Sequence, residues 1–196
     1  LGRLDDLQAE WPDDREIAVE AAKGAVNITL HAGSAGEWVW VDDALGRLDD
    51  LQAEWPDDRE IAVATAKCAI FVTCYAGAAG DWTRVDAVEK LCERIVAATS
   101  KKSEVMGIFG RVTAIAYILR RQAGQSPDQD VTATAAIMAE HGVTVAASEE
   151  NQRLVSICLQ VIQDAAARFP DDSEIAITYR AQSDAGLDWS VIPSIK

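Results

Sequence analysis

The sequence predicts an all-α protein, an α-solenoid of stacked antiparallel helix pairs with about nine helices in one repeat domain over 1–196. Three observations carry this reading. The block LGRLDDLQAEWPDDREIAV at 1–19 recurs unchanged at 45–63, an offset of 44 residues. The next 25 residues of each copy match at 11 positions, including Lys23/Lys67, Trp38/Trp82 and Val41/Val85. Apolar residues fall at helical spacing within each copy, while Pro and Gly punctuate its edges.

The first unit, 1–44, opens at Leu1, which aligns with Leu45 in the middle of a helix, so it is expected to lack the front half of its first helix. The second unit, 45–88, is the clearest. Its helix A is expected from about Trp38 to Trp55, with Val41, Ala44, Leu45, Leu48 and Leu51 on one stripe. Pro56 stops it. Asp57-Asp58-Arg59-Glu60 then has the Asp-x-x-Glu spacing of a capping box, repeated at Asp13/Glu16 and Asp171/Glu174, with the first aspartate as the expected cap. Helix B is expected to run to about Ala76, with small residues such as Ala62, Ala66 and Ala69 inward and Gly77 and Gly80 ending it.

A third unit, 89–132, is diverged but keeps Glu104, Val105, Arg111 and Gly124 at the places of Glu60, Ile61, Lys67 and Gly80. The last region, 133–196, carries FPDDSEIAITYRAQSDAGLDW at 169–189, a copy out of phase with the 44-residue step. A loss or insertion is therefore expected between 133 and 168. Helices are expected near 1–10, 14–32, 38–54, 58–76, 82–98, 103–122, 128–141, 149–168 and 172–185. Short connections make neighbours antiparallel, and amphipathic pairs that cannot bury their stripes alone must stack.

Composition removes several function classes. Eighteen Lys and Arg against 32 Asp and Glu give a net charge of −14, which opposes binding to a phosphate backbone. No apolar run approaches the ~20 residues of a membrane span. The two histidines, His31 and His141, cannot form a multi-histidine metal site. Cys68, Cys74, Cys92 and Cys158 lack C-x-x-C spacing and are expected as free, mostly buried thiols, in keeping with a cytoplasmic setting. No nucleophile elbow, phosphate loop or zinc-protease motif occurs, so no enzyme activity, cofactor or metal is expected.

The W/F-P-D-D-x-E-I-A link between paired helices resembles the tetratricopeptide class, in its divergent bacterial form. The 44-residue period differs from the standard unit of about 34 residues and is nearer HEAT length, and W-x-x-L-G-x-x-Y is absent. The resemblance implies a right-handed solenoid that serves as a scaffold, with a peptide or partner domain held in a helix-lined groove.

The candidate site residues follow from the repeat. Lys23, Lys67 and Arg111 recur every 44 residues and would form a basic row able to hold an acidic peptide, or else pair with helix A of the same chain. Phe71 and Tyr75 share a face with Lys67 and replace Asn27 and His31 of the first unit. Trp40 stands where the next unit has Arg84 and is expected to be exposed, a candidate anchor for a partner. The other tryptophans, Trp11, Trp38, Trp55, Trp82 and Trp189, read as structural plugs at helix ends. The alternative to peptide binding is end-to-end self-association through an uncapped solenoid end, with a small-ligand or enzymatic helical domain as a third reading.

Overall fold

A computed structural model describes residues 6–7, 10–11, 13–100, 102–148 and 152–184. All the regular elements among them are α-helices: α1 Arg15–Ala35, α2 Trp38–Glu54, α3 Arg59–Ala79, α4 Trp82–Ala98, α5 Lys102–Gln122, α6 Gln129–Ser148, α7 Gln152–Arg168 and α8 Ser173–Asp184. The expected first helix near 1–10 falls mostly outside the described residues, as does Trp189. The chain divides into two compact units, Leu1–Val105 and Met106–Lys196.

In the first unit the longer helices α1 and α3 lie side by side, and the shorter α2 and α4 pack against them. One core joins Ala18, Ala22 and Ala25 of α1, Leu48 and Leu51 of α2, and Ile61, Ala64 and Cys68 of α3. Alanine on the inner faces brings the long helices close, as the sequence predicts. By length and composition α3 could cross a membrane, but 56% of its most apolar window is buried among the neighbouring helices, as in the core helix of a folded domain.

Two devices repeat at the helix ends. The long helices close on glycines with left-handed backbone, Gly36 (φ 74°), Gly80 (φ 75°) and Gly124 (φ 79°), which are 44 residues apart. In each, the next residue's N–H reaches back at 2.9 Å to a carbonyl, Glu37 to Ala32, Asp81 to Ala76 and Gln125 to Arg120. Gly77 therefore lies inside α3, which continues to Ala79, beyond the expected end at Ala76. The second device is the turn before α1, α3 and α8. The carbonyls of Trp11, Trp55 and Phe169 accept from the N–H of Asp14, Asp58 and Asp172 at 3.2, 3.1 and 3.1 Å.

The capping assignment needs correction by one residue. Asp58, not Asp57, caps α3, its Oδ1 accepting from the N–H groups of Glu60 (2.8 Å) and Ile61 (3.1 Å). Asp14 and Asp172 do the same for α1 and α8. Asp57 instead accepts from Thr99 Oγ1 (2.8 Å), Ser100 N–H (2.8 Å) and Ser100 Oγ (2.7 Å), tying the end of α4 to the turn one repeat earlier. Asp58 has the extended backbone (φ −82°, ψ 116°) that turns its carboxylate onto the free N–H groups.

In the second unit α5, α6 and α7 share a core of Ala114, Tyr117, Ala135, Ala139, Cys158, Leu159 and Ile162. Here the repeat breaks, and earlier than the expected 133–168. After Gly124 the chain should enter a short helix; instead Gln125–Pro127 lead directly to Asp128, which caps α6 through the Val131 N–H (2.9 Å). Asp128 and the cap Asp172 are again 44 residues apart, so the phase resumes after one short helix is omitted. Val131 holds the place of Ile61 and Ile175; those are fully buried, whereas Val131 is 46% exposed where the omitted helix would lie. Juxtaposed in sequence, α5 and α6 cross backbone to backbone. A Cβ on Gly110 would fall 1.9 Å from the Met138 carbonyl oxygen.

A polar cluster closes this corner. The Tyr117 hydroxyl donates to Asp164 (2.6 Å), Arg121 Nε donates to Asp164 (3.1 Å), and Arg168 donates to Tyr117 Oη (2.8 Å) and the Pro127 carbonyl (2.6 Å). Burial first, then the Asp164 carboxylate, raises the Tyr117 pKa, so this hydroxyl stays a donor at neutral pH.

Candidate groove on the long-helix face

A groove of about 310 Å³ runs between α1 and α3. Lys23, Val26 and Asn27 line one side; Arg59, Glu60, Val63, Ala64 and Lys67 line the other. The two repeat-equivalent lysines thus face one depression, because parallel long helices place the same register position side by side. The floor is aliphatic and the rim carries three cations and one carboxylate, a local excess of positive charge in a chain of net charge −14.

The lysines differ in state. Lys23 Nζ donates to Glu20 at 2.7 Å, and this hydrogen bond raises the Lys23 pKa. Among the described residues Lys67 has no ion pair, and its side chain is exposed. Phe71 and Tyr75 lie one and two turns further along the same face of α3, half-buried, their rings stacked at 6.5 Å. Tyr75 lies flat on α1 at Gly33, where an added Cβ would sit 2.6 Å from its ring. This contact explains the size of the Tyr75 side chain without reference to a partner.

Arg111 belongs to the second unit and to a different environment. It is 7% exposed, and its Nε donates to the Ile108 carbonyl at 3.3 Å. The expected exposed row is therefore a pair, Lys23 and Lys67, and Arg111 serves the interior of its own unit. Divergence of the third repeat, visible in the sequence as Val105, Phe109 and Val112 around it, is the signal that its register position had changed surroundings. Arg59, absent from the sequence-derived set, lines the groove because it opens α3 just after the cap.

Trp40 is 59% exposed, as expected. Its counterpart Arg84 is not an equivalent surface residue: its guanidinium lies 4.6 Å above the Trp38 ring and pairs with Asp42 and Asp81, each at 2.8 Å. Trp55 and Phe169 pack on the cores as plugs, whereas Trp11 is 58% exposed.

Chemistry elsewhere is sparse among the described residues. No group of three His, Cys, Asp or Glu is placed to hold a metal ion. Burial raises the thiol pKa to about 11 at Cys68 and about 12 at Cys158, and pushes Cys92 up as well. These thiols are poor nucleophiles at neutral pH.

The fold and this groove define an all-α helical-repeat protein with a mildly basic, aliphatic-floored depression between equivalent helices. No protein-family model, curated protein or solved structure matches the chain.

Proposed function

We propose that the protein is a binding scaffold whose α1–α3 groove receives an extended, acidic segment of a partner protein. The observation that carries the reading is the placing of Lys23 and Lys67 across an aliphatic floor, with no counter-ion for Lys67 among the described residues. Val26, Val63 and Ala64 offer apolar contact, and the ammonium groups select carboxylates over neutral side chains. Phe71 and Tyr75 extend the face along which such a segment would lie. A groove formed by rigid helices loses little conformational entropy on binding, which suits recognition of a flexible peptide.

The test uses fluorescence anisotropy with a panel of labelled peptides differing only in Glu and Asp content. The reading expects binding that rises with acidic content and weakens as ionic strength passes ~0.1 M, where the screening length is ~10 Å. Lys23→Ala/Lys67→Ala should abolish the preference for acidic peptides while the circular dichroism spectrum stays unchanged. Equal binding of acidic and neutral peptides, or full retention by the folded double variant, rejects the groove as the site.

A further inference from the structure

The two lysines that face the α1–α3 groove are repeat equivalents in unequal surroundings, and one difference between the repeats accounts for it. Residues 1–19 and 45–63 are identical; the first position at which the copies part is Glu20 in one and Ala64 in the other. Glu20 lies one turn before Lys23 on α1 and accepts from its Nζ at 2.7 Å. Both partners belong to one helix, three residues apart, so the pair needs nothing outside α1. Ala64 lies one turn before Lys67 on α3, 5% exposed and packed in the core that α3 shares with α1. A glutamate there would bury its charge against α1, at a cost that alanine avoids. The neighbours of Lys67 at helical spacing are Val63, Ala64, Ile70 and Phe71, none of them acidic. Packing at position 64 thus removes from Lys67 the carboxylate that its equivalent keeps.

The far end of the groove carries a carboxylate of its own. Glu60 lines that end and accepts from Arg15 Nη2 at 2.9 Å. It also acts on Lys23 through space, adding to the effect of Glu20. From Glu60 to Lys67 α3 rises about 10 Å, the length of about three residues of extended chain. Between them the floor is Val26, Val63 and Ala64. An occupant therefore meets, in order, an ammonium group, an aliphatic floor and a carboxylate.

We infer that Glu20 is an internal ligand for Lys23 and leaves Lys67 as the one open carboxylate seat, so that the groove takes a segment with a single acidic residue beside apolar ones and gains little from further acidic residues. This rests on the reading of the groove as a peptide site; it adds which lysine anchors the segment and what limits its charge. A second carboxylate must displace Glu20 from Lys23 or approach Glu60, and either course weakens its contribution.

Fluorescence anisotropy at fixed ionic strength tests this with three labelled peptides of one apolar sequence carrying no, one or two glutamates. The wild type should gain most of its affinity with the first glutamate. Lys67→Ala should bring the one-glutamate peptide down to the level of the neutral one. Lys23→Ala/Glu20→Gln removes the pair as a unit at constant net charge, and should bind that peptide within about twofold of wild type. Glu20→Gln alone releases Lys23. It should raise affinity for the two-glutamate peptide by up to about fivefold over Glu93→Gln, which makes the same charge change on α4. All four positions are exposed, so the variants should fold. Equal losses from Lys67→Ala and from Lys23→Ala/Glu20→Gln overturn the inference and leave the peptide reading standing. A second glutamate that adds as much as the first does the same, as does a Glu20→Gln gain no larger than that of Glu93→Gln. A wild type with no preference for glutamate overturns both.

Discussion

Replacing Asp58 by alanine removes two kinds of contact at once. The first is the cap, two hydrogen bonds of 2.8 and 3.1 Å to the N–H groups of Glu60 and Ile61; loss of such a cap costs ~0.5–2 kcal/mol. The second is the ion pair with Arg15, half-exposed on the arginine side and worth ~0–1 kcal/mol. Together they predict a loss of about 0.5–3 kcal/mol. Asp58→Asn keeps an acceptor oxygen and should lose only the charge-dependent part. Burial alone pushes the Asp58 carboxyl pKa up, but the Arg15 guanidinium and the two helix N–H donors outweigh it and hold it below 3.8. A depressed carboxylate stabilises the fold above its unfolded pKa, and that contribution is lost as pH falls through the folded value. The gap between wild type and Asp58→Asn should therefore be widest near neutrality and close below pH 3.8. Urea denaturation followed by circular dichroism gives the midpoints, and amide exchange gives the location. Asp58→Ala should unprotect Glu60 and Ile61, whereas Asp57→Ala should unprotect Ser100. An unchanged midpoint for Asp58→Ala, or loss of Glu60 protection in Asp57→Ala instead, would refute the cap assignment.

Two further outcomes follow from packing and burial. Gly110→Ala drives a methyl onto the Met138 carbonyl and should cost at least the ~1–3 kcal/mol of an overpacked core, while Gly46→Ala, with nothing within 4 Å of its new Cβ, should stabilise α2 by roughly 0.5–1 kcal/mol in the same denaturation assay. A thiol reagent at mildly alkaline pH should react readily with half-buried Cys74 alone in the native chain and with all four cysteines in denaturant; fast native labelling of Cys68, Cys92 or Cys158 would contradict the burial that raises their pKa values.

The 44-residue step was legible because one block is repeated without change and because Pro and Gly stand at its edges. Helix identity followed from that step and from the apolar stripes. The cap was misread by one residue since Asp57 and Asp58 are adjacent and equally able to accept; backbone dihedrals, which composition does not encode, decide between them. Lys23 and Lys67 were found as a pair because identical blocks hold α1 and α3 in the same register. Arg111 was carried along by spacing although its neighbours had become bulky and apolar, and those neighbours buried it. The loss of a short helix was legible from the phase but misplaced, because Ser126-Pro127-Asp128 lacks the aromatic residue of the other turns and has Pro127 where they have their first aspartate. The signal that remained was the separation of Asp128 from Asp172.

Side-chain bonds that join one repeat to the next among the described residues of the first unit span 42–45 residues, from Arg84–Asp42 to Arg15–Glu60. Such a separation is one repeat and no more, so each added helix pair needs only its immediate predecessor as a template. Folding of this unit can then advance as a zipper, with a modest loop-closure cost at every step and no late search for distant partners. Opening follows the same logic in reverse. Within this unit, protection against hydrogen exchange should be strongest in α3, which packs against α1, α2 and α4.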